Sequence, residues 1–422
     1  MIEERSSNPT EAVINESGSA EGYHNVNKPI RVMLCDDSSV MRRLVKGALT
    51  TDPQMHVVYE AVDGKDAVDN LGSVRPDVVI LDVEMPVMDG IDAARTIRRR
   101  CRTLPIIMFS SLTSQGAEAT MDALAAGAND FAIKPAGTNN FQAAKEQVQK
   151  ELIGKIRNLV GTPADVQEKL GTQKAAPVSP GVQRRTARPS RPSRRETIAM
   201  PEVSTFKGSK NHVSVIAIGV STGGPEALRK LILKLPKPFP VPILITQHMP
   251  PVFTGLLAER LSQQSGHRVR EATEGENVTA GEILIAPGDF HLTVCREKNN
   301  VKTRLDQSPP ENSCRPSVDP LFRSIGKVYG REAIAVVLTG MGTDGGAGAR
   351  AIKQTGGRVI VQDQESSVVW GMPGHVAEIG MADRVLPLEQ IATELIRAVE
   401  SKQQPASVRS NSRNSKTRTG TA

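Results

Sequence analysis

Residues 78–90 read VVILDVEMPVMDG. Four apolar residues run without interruption into Asp82, and a polar, glycine-ended turn follows. A short, continuous run rich in Val and Ile suits a parallel strand buried on both faces. Outward from it the same pattern recurs at IRVMLC (30–35), MHVVYEA (55–61), PIIMFS (105–110) and DFAI (130–133). The intervening spacing predicts helices over about 39–50, 65–73, 90–100, 116–126 and 140–158. Five alternating strand–helix units predict an open, doubly wound parallel sheet with its site at the carboxyl ends of the strands.

Those ends carry chemistry. Asp36 and Asp37 follow the first strand, Asp82 ends the third, Ser110 ends the fourth, and Lys134 follows the fifth, just before Pro135. Three crowded carboxylates repel one another and are stabilised most simply by a hard divalent cation such as Mg²⁺. An aspartate there can act as a nucleophile toward a phosphoryl group. The lysine can balance the transferred charge, and Ser110 can hydrogen-bond the phosphate. Any one of these residues alone reads as a helix cap; the ordered set does not. That set resembles the response-regulator receiver family over residues 28–155. The resemblance implies a flavodoxin-like receiver in which Asp82 accepts phosphate from a histidine kinase. It also implies Mg²⁺ held by the Asp37 and Asp82 carboxylates and the backbone carbonyl of Glu84, with Asp36 assisting. Ser110 and Phe131 match its switch hydroxyl and switch aromatic, although Phe131 reads equally well as core.

From His212 onward the alternation returns. Strands are expected at VSVIAIG (213–219), VPILITQ (241–247), EILIAP (282–287), HLTVC (291–295), AIAVVLTG (333–340) and RVIVQD (358–363). Helices are expected at 224–235, 254–264, 318–328, 345–355 and 388–400, giving a second α/β sheet, mostly parallel, with an antiparallel excursion near 283–306. Its first strand runs into GVSTGGPEAL (219–228), with Pro225 in the first turn of the helix that follows. Ser221 in a glycine-rich turn at a helix N-terminus can be a cap, a phosphate ligand or a nucleophile beside an oxyanion site. Its G-x-S-x-G spacing is loose. The spacing is not that of a dinucleotide loop, and no Walker lysine follows.

Two further residues favour the nucleophile. ITQHMPP (245–251) places His248 after a strand, and LTGMGTDGG (338–346) places Asp344 after another. Ser221, His248 and Asp344 would then share one sheet edge, where a triad can assemble with His248 as base and Asp344 as its orienter. The order Ser…His…Asp differs from the Ser…Asp…His of the α/β-hydrolase fold. Together with ITQHMPPVFTGLLAERL, IAPGDFHL, SCRPSVDPLF and QDQESSVVWGMPG, these motifs resemble the catalytic domain of the chemotaxis protein-glutamate methylesterase (CheB) family. The resemblance implies a Rossmann-like α/β methylesterase domain that needs no cofactor. It implies hydrolysis of glutamate methyl esters, with release of methanol, and deamidation of glutamines on methyl-accepting chemoreceptors. Thr222 and Met341 fall where backbone N–H groups are candidate oxyanion donors. Arg315 reads as a substrate contact or a structural ion pair, and Trp370 and His291 read as structural.

Composition sets the remaining bounds. The 422 residues exceed one ordinary domain. The expected division is a disordered leader (1–27), the receiver (28–155), a flexible basic Pro/Arg-rich linker (156–210), the methylesterase domain (211–400) and a disordered basic tail (401–422). The net charge of +7 resides in the leader, linker and tail rather than on a folded face, so no nucleic-acid partner is expected. RRTARPSRPSRR in the linker blocks helix and sheet with its prolines. No apolar run is long enough to span a bilayer, and the leader lacks signal-peptide character, so a cytoplasmic chain is expected that meets the membrane only through receptors. Four scattered cysteines suit free thiols. The rival readings are a DNA-binding response regulator and a non-catalytic scaffold.

Overall fold

The computed structural model describes residues 29–135, 140–161 and 212–400. The expectations of a disordered leader, linker and tail lie outside the described residues.

The first domain alternates β1 (Ile30–Cys35), α1 (Ser39–Leu49), β2 (Met55–Ala61), α2 (Gly64–Val74), β3 (Val78–Asp82), α3 (Gly90–Arg100), β4 (Ile106–Ser110), α4 (Ser114–Ala125), β5 (Asp130–Ile133) and α5 (Phe141–Val160). All pairings are parallel, in the order β2-β1-β3-β4-β5. Each helix opens on a polar cap that the sequence supplies. Ser38, Asp63, Asp89, Thr113 and Asn140 accept from N–H groups of the first turn, which would otherwise lack partners. Helix α5 continues to Val160, past the expected domain end at 155.

The second domain holds β6 (Val215–Val220), α6 (Gly224–Ile232), β7 (Ile243–Gln247), α7 (Phe253–Ser265), β8 (Arg268–Glu271), β9 (Glu282–Ile285), β10 (His291–Glu297) and β11 (Asn300–Asp306). It ends with α8 (Val318–Tyr329), β12 (Ala333–Val337), α9 (Gly346–Gln354), β13 (Arg358–Gln362), α10 (Met372–Glu378), β14 (Arg384–Leu386) and α11 (Leu388–Glu400). Seven parallel strands run in the order β14-β13-β12-β6-β7-β9-β8. The order reverses between β6 and β12, the switch point at which doubly wound sheets open a crevice. The antiparallel excursion is a separate hairpin, β10–β11. Strands β8 and β14 and helix α10 were not expected: RVRE and RVL carry charge, and the first turn of α10 contains Pro373.

The domains pack face to face. One apolar cluster runs from Met121, Leu124 and Phe131 of the first into Phe253, Leu257 and Leu261 of the second. Phe131 stacks on Phe253 with centroids 4.5 Å apart and planes 9° from parallel.

Candidate functional sites

At the carboxyl edge of the first sheet, β1 delivers Asp36 and Asp37 and β3 delivers Asp82. One carboxylate oxygen from each lies within 4.8 Å of the others. Lys134, after β5, pairs with Asp36 at 3.0 Å and with Asp82 at 2.7 Å. Burial pushes Asp82 up to about 6 against the opposing pull of Lys134. A cavity of about 500 Å³ opens here, lined among others by Asp37, Asp82, Glu84, Ser110 and Lys134. An oxygen-only donor set with one lysine against three carboxylates has the chemistry of a hard-cation site. The Ser110 hydroxyl donates to the carbonyls of Gly116 and Ser111.

In the second domain Ser221, Asp344 and His248 follow three adjacent central strands. Ser221 leaves β6, its N–H donating to Thr339 O and its carbonyl accepting from Gly224 N. Gly223 caps α6 with φ +76°, a left-handed turn that frees the helix N-terminus of a side-chain cap. Gly340 passes so close that a Cβ there would lie 2.7 Å from Ser221 Cβ. Among the described residues the backbone N–H groups of Thr222 and Met341 have no acceptor, so they remain available to a ligand.

His248 follows β7, its N–H donating to Val220 O. Its Nε2 lies 2.7 Å from Asp344 Oδ2. Asp344 also accepts from the N–H groups of Val318, Asp319 and Gly345, from Ser317 Oγ and from Asn312 Nδ2. The carboxylate thus sits on the N-terminus of α8, where the helix dipole favours an anion. Burial alone would raise it, but His248 and those N–H groups hold it below the usual carboxylate range. Burial likewise opposes charge on His248, yet Asp344 and then Cys314 outweigh it and raise the imidazole to about 10. Cys314 Sγ stands 3.5 Å from Nδ1. Ser221 Oγ makes no hydrogen bond to His248 or to any other described residue. The sequence reading thus brought the three residues to one edge, and the structure joins two of them.

Cys314, Asn312 and Ser317 were not singled out as site residues, because the sequence offers only SCRPS after an irregular stretch. Arg315 is a structural ion pair, held by Asp289 and by the carbonyls of Gln307 and Ser308. His291 is structural, accepting from Ser317 N, and Trp370 donates to Gln362 O.

The receiver lies over this edge. Thr222 Oγ1 donates to Asp130 Oδ2 at 2.6 Å, in a buried bond between the domains. Lys155 pairs with the other Asp130 oxygen at 3.2 Å. Asn158 of α5 donates to Met341 Sδ, and Arg260 of α7 pairs with Asp122 of α4 at 2.7 Å.

A receiver sheet with an acidic cluster at its carboxyl edge, packed against an α/β domain with a serine and a bonded His–Asp pair at its switch point, defines a response-regulator hydrolase. Residues 32–146 match the response regulator receiver domain model, and residues 216–395 match the CheB methylesterase model. The protein-glutamate methylesterase/protein-glutamine glutaminase of Trichodesmium erythraeum is 44% identical over 87% of this chain and 99% of its own length. That of a Nocardioides species is 45% identical over 90% and 98%. The crystal structure of the Thermotoga maritima CheB methylesterase catalytic domain is 48% identical, covers 44% of this chain and 98% of its own, and aligns with TM-score 0.43. The chain belongs to the CheB protein-glutamate methylesterase/protein-glutamine glutaminase family. Among the described residues no helix is long and apolar enough to cross a membrane.

Proposed function

We propose that Ser221, His248 and Asp344 carry out the family's reaction, hydrolysis of glutamate methyl esters and deamidation of glutamines on methyl-accepting chemoreceptors. The observation that supports this most is the His248–Asp344 bond beside Ser221 at the switch point. Ser221 Oγ attacks the ester carbonyl carbon while His248, in its neutral form, takes its proton. The N–H groups of Thr222 and Met341 donate to the developing oxyanion. The C–O bond to the methoxy group breaks, and His248 returns the proton to release methanol. Water then attacks the acyl-serine, gives its proton to His248, and leaves glutamate with Ser221 restored. With a glutamine substrate the leaving group is ammonia. Methanol release from methylated receptor, followed for the wild type and Ser221→Ala, tests this: a loss of at least about a thousandfold in kcat is expected. Undiminished release from the variant refutes the assignment.

The receiver controls this site by covering it. Phe131 and Asp130 of β5 touch Phe253 and Thr222, so a change at Lys134, one strand end away, has a short path to the cleft. Asp82 is the phosphoacceptor for a chemotaxis histidine kinase. Mg²⁺ would be held by Asp37, Asp82 and the Glu84 carbonyl, where it neutralises charge on the phosphoryl group. Chelation of divalent ions is expected to abolish phosphorylation of Asp82 while leaving basal methanol release unchanged. A basal rate that falls with chelation would place a metal in the esterase domain instead. The enzyme acts in the cytoplasm and reaches the membrane through its receptor substrate.

A further inference from the structure

Cys314 is delivered to His248 by a tight hairpin. Glu311 and Cys314 exchange backbone hydrogen bonds at 3.1 and 3.0 Å, and the two residues between them, Asn312 and Ser313, have φ of +54° and +63°. Two consecutive non-glycine residues in the left-handed region carry backbone strain, and such strain persists where the surroundings fix it. Here they do. Arg323 clasps Glu311 through its two terminal guanidinium nitrogens, and Arg315, which follows Cys314, is tied to Asp289. From this braced turn Asn312 Nδ2 reaches Asp344 Oδ1 at 2.9 Å and Asp319 Oδ2 at 3.0 Å, while the Cys314 sulfur reaches His248 Nδ1. The hairpin therefore touches both members of the acid–base pair.

The consequence lies in the imidazole's two nitrogens. Nε2 is committed to Asp344 at 2.7 Å, a short, charge-assisted contact. Nδ1 is the only nitrogen left to receive a proton from Ser221, and Cys314 stands on it. A 3.5 Å contact to sulfur is the weaker of the two, so it is the one that yields. We propose that Cys314 is a positioning residue for the hydrolysis: in the receiver-closed chain its sulfur occupies His248 Nδ1 and keeps the base off Ser221. The inference rests on His248 being the base. Asp344 and Cys314 are the titratable groups bonded to the ring among the described residues, with Asp319 and the Glu311–Arg323 pair one layer behind.

The test uses the unphosphorylated full chain and methanol release across pH. Cys314→Ala is expected to raise kcat about threefold or more with KM unchanged. It is also expected to move the acid limb of the kcat profile to lower pH, because the imidazolium loses an acceptor and the base stays neutral further down the scale. Cys314→Ser, whose hydroxyl can also hold Nδ1, is expected to stay near the wild type in both respects. A Cys314→Ala enzyme with wild-type kcat and acid limb overturns the proposal, and so does a folded Cys314→Ala enzyme that loses kcat. If Cys314→Ala does not fold, Cys314→Ser decides: an acid limb displaced from wild type in either direction overturns the proposal, and an unmoved one supports it. His248→Gln in the same assay separates the two readings, since activity retained there removes the base itself, whatever Cys314 does.

Discussion

Asp344 shows how much one carboxylate can organise. It binds the imidazole on one side and the first turn of α8 on the other, so the orientation of the His248 ring is fixed by a helix that the ring itself does not touch through any hydrogen bond. Asp344→Asn keeps the volume but places an amide against N–H donors that need an acceptor. It also removes the charge that stabilises the imidazolium. A fall in kcat of about a thousandfold to ten-thousandfold is expected, with a smaller change in KM, measured as methanol release at neutral pH. A mutant within tenfold of wild type would show that Asp344 serves α8 and not the reaction. The same pair carries a pH signature. The imidazole of His248 is raised above its ordinary value to about 10 in the folded chain. Its stabilising contribution is therefore fully present below about pH 6.5 and is lost as pH rises through about 10. The melting temperature of the wild type should exceed that of His248→Gln most below about pH 6.5, and the gap should shrink from there and vanish as pH rises through about 10. A gap independent of pH would mean that the pair is not coupled to folding.

Elements explain why some of the site is legible in the sequence. The strands that carry Asp82, Ser221 and His248 are continuous apolar runs buried on both faces, and parallel topology sends all their ends to one edge; order along the chain and strand ends sufficed. Cys314 and Asn312 sit in an irregular segment whose hairpin depends on two left-handed residues that are not glycine, and no local pattern announces that. Strands β8 and β14 escaped notice because edge strands carry charge, which breaks the apolar signal. The packing of α4 against α7 was equally invisible, since Asp122 and Arg260 are ordinary surface residues until the domains meet. That pair is partly exposed, so its attraction is worth about 0.2–1 kcal/mol. Reversing one charge should replace attraction with repulsion of similar size. Asp122→Arg is therefore expected to raise the basal rate of the unphosphorylated chain a few-fold, and the swap Asp122→Arg with Arg260→Asp should return it toward wild type. If the double variant is as active as the single one, this contact does not hold the closed form.

At the scale of the whole molecule, two sheets of related design meet, with the start of the receiver's β5 against the site edge of the second sheet. The receiver's Phe131 is both part of its own core and the ring that stacks on Phe253, and its Asp130 bonds Thr222, next to Ser221. Ser110 meanwhile donates to Gly116 O. A phosphoryl group on Asp82 would offer Ser110 and Lys134 new acceptors, drawing both toward the phosphoryl group. Lys134 directly follows β5, the strand that carries Asp130 and Phe131, so the pull acts on the elements that contact the second domain. The aromatic stack is worth about 0.5–1.5 kcal/mol beyond its buried area, and a buried hydrogen bond to a charged group about 1.5–3 kcal/mol. Those magnitudes suffice for a closed state that a modest differential interaction can shift. A fragment beginning at Lys210, which lacks the receiver, should release methanol faster than the unphosphorylated full chain and should not respond to phosphodonor. Adding the separate receiver, residues 1–161, in excess should slow the fragment, and Asp130→Ala in that receiver should weaken the inhibition. A fragment no faster than the full chain would mean that the contact over Ser221 does not limit access. In that case phosphorylation must act on the alignment of His248 instead.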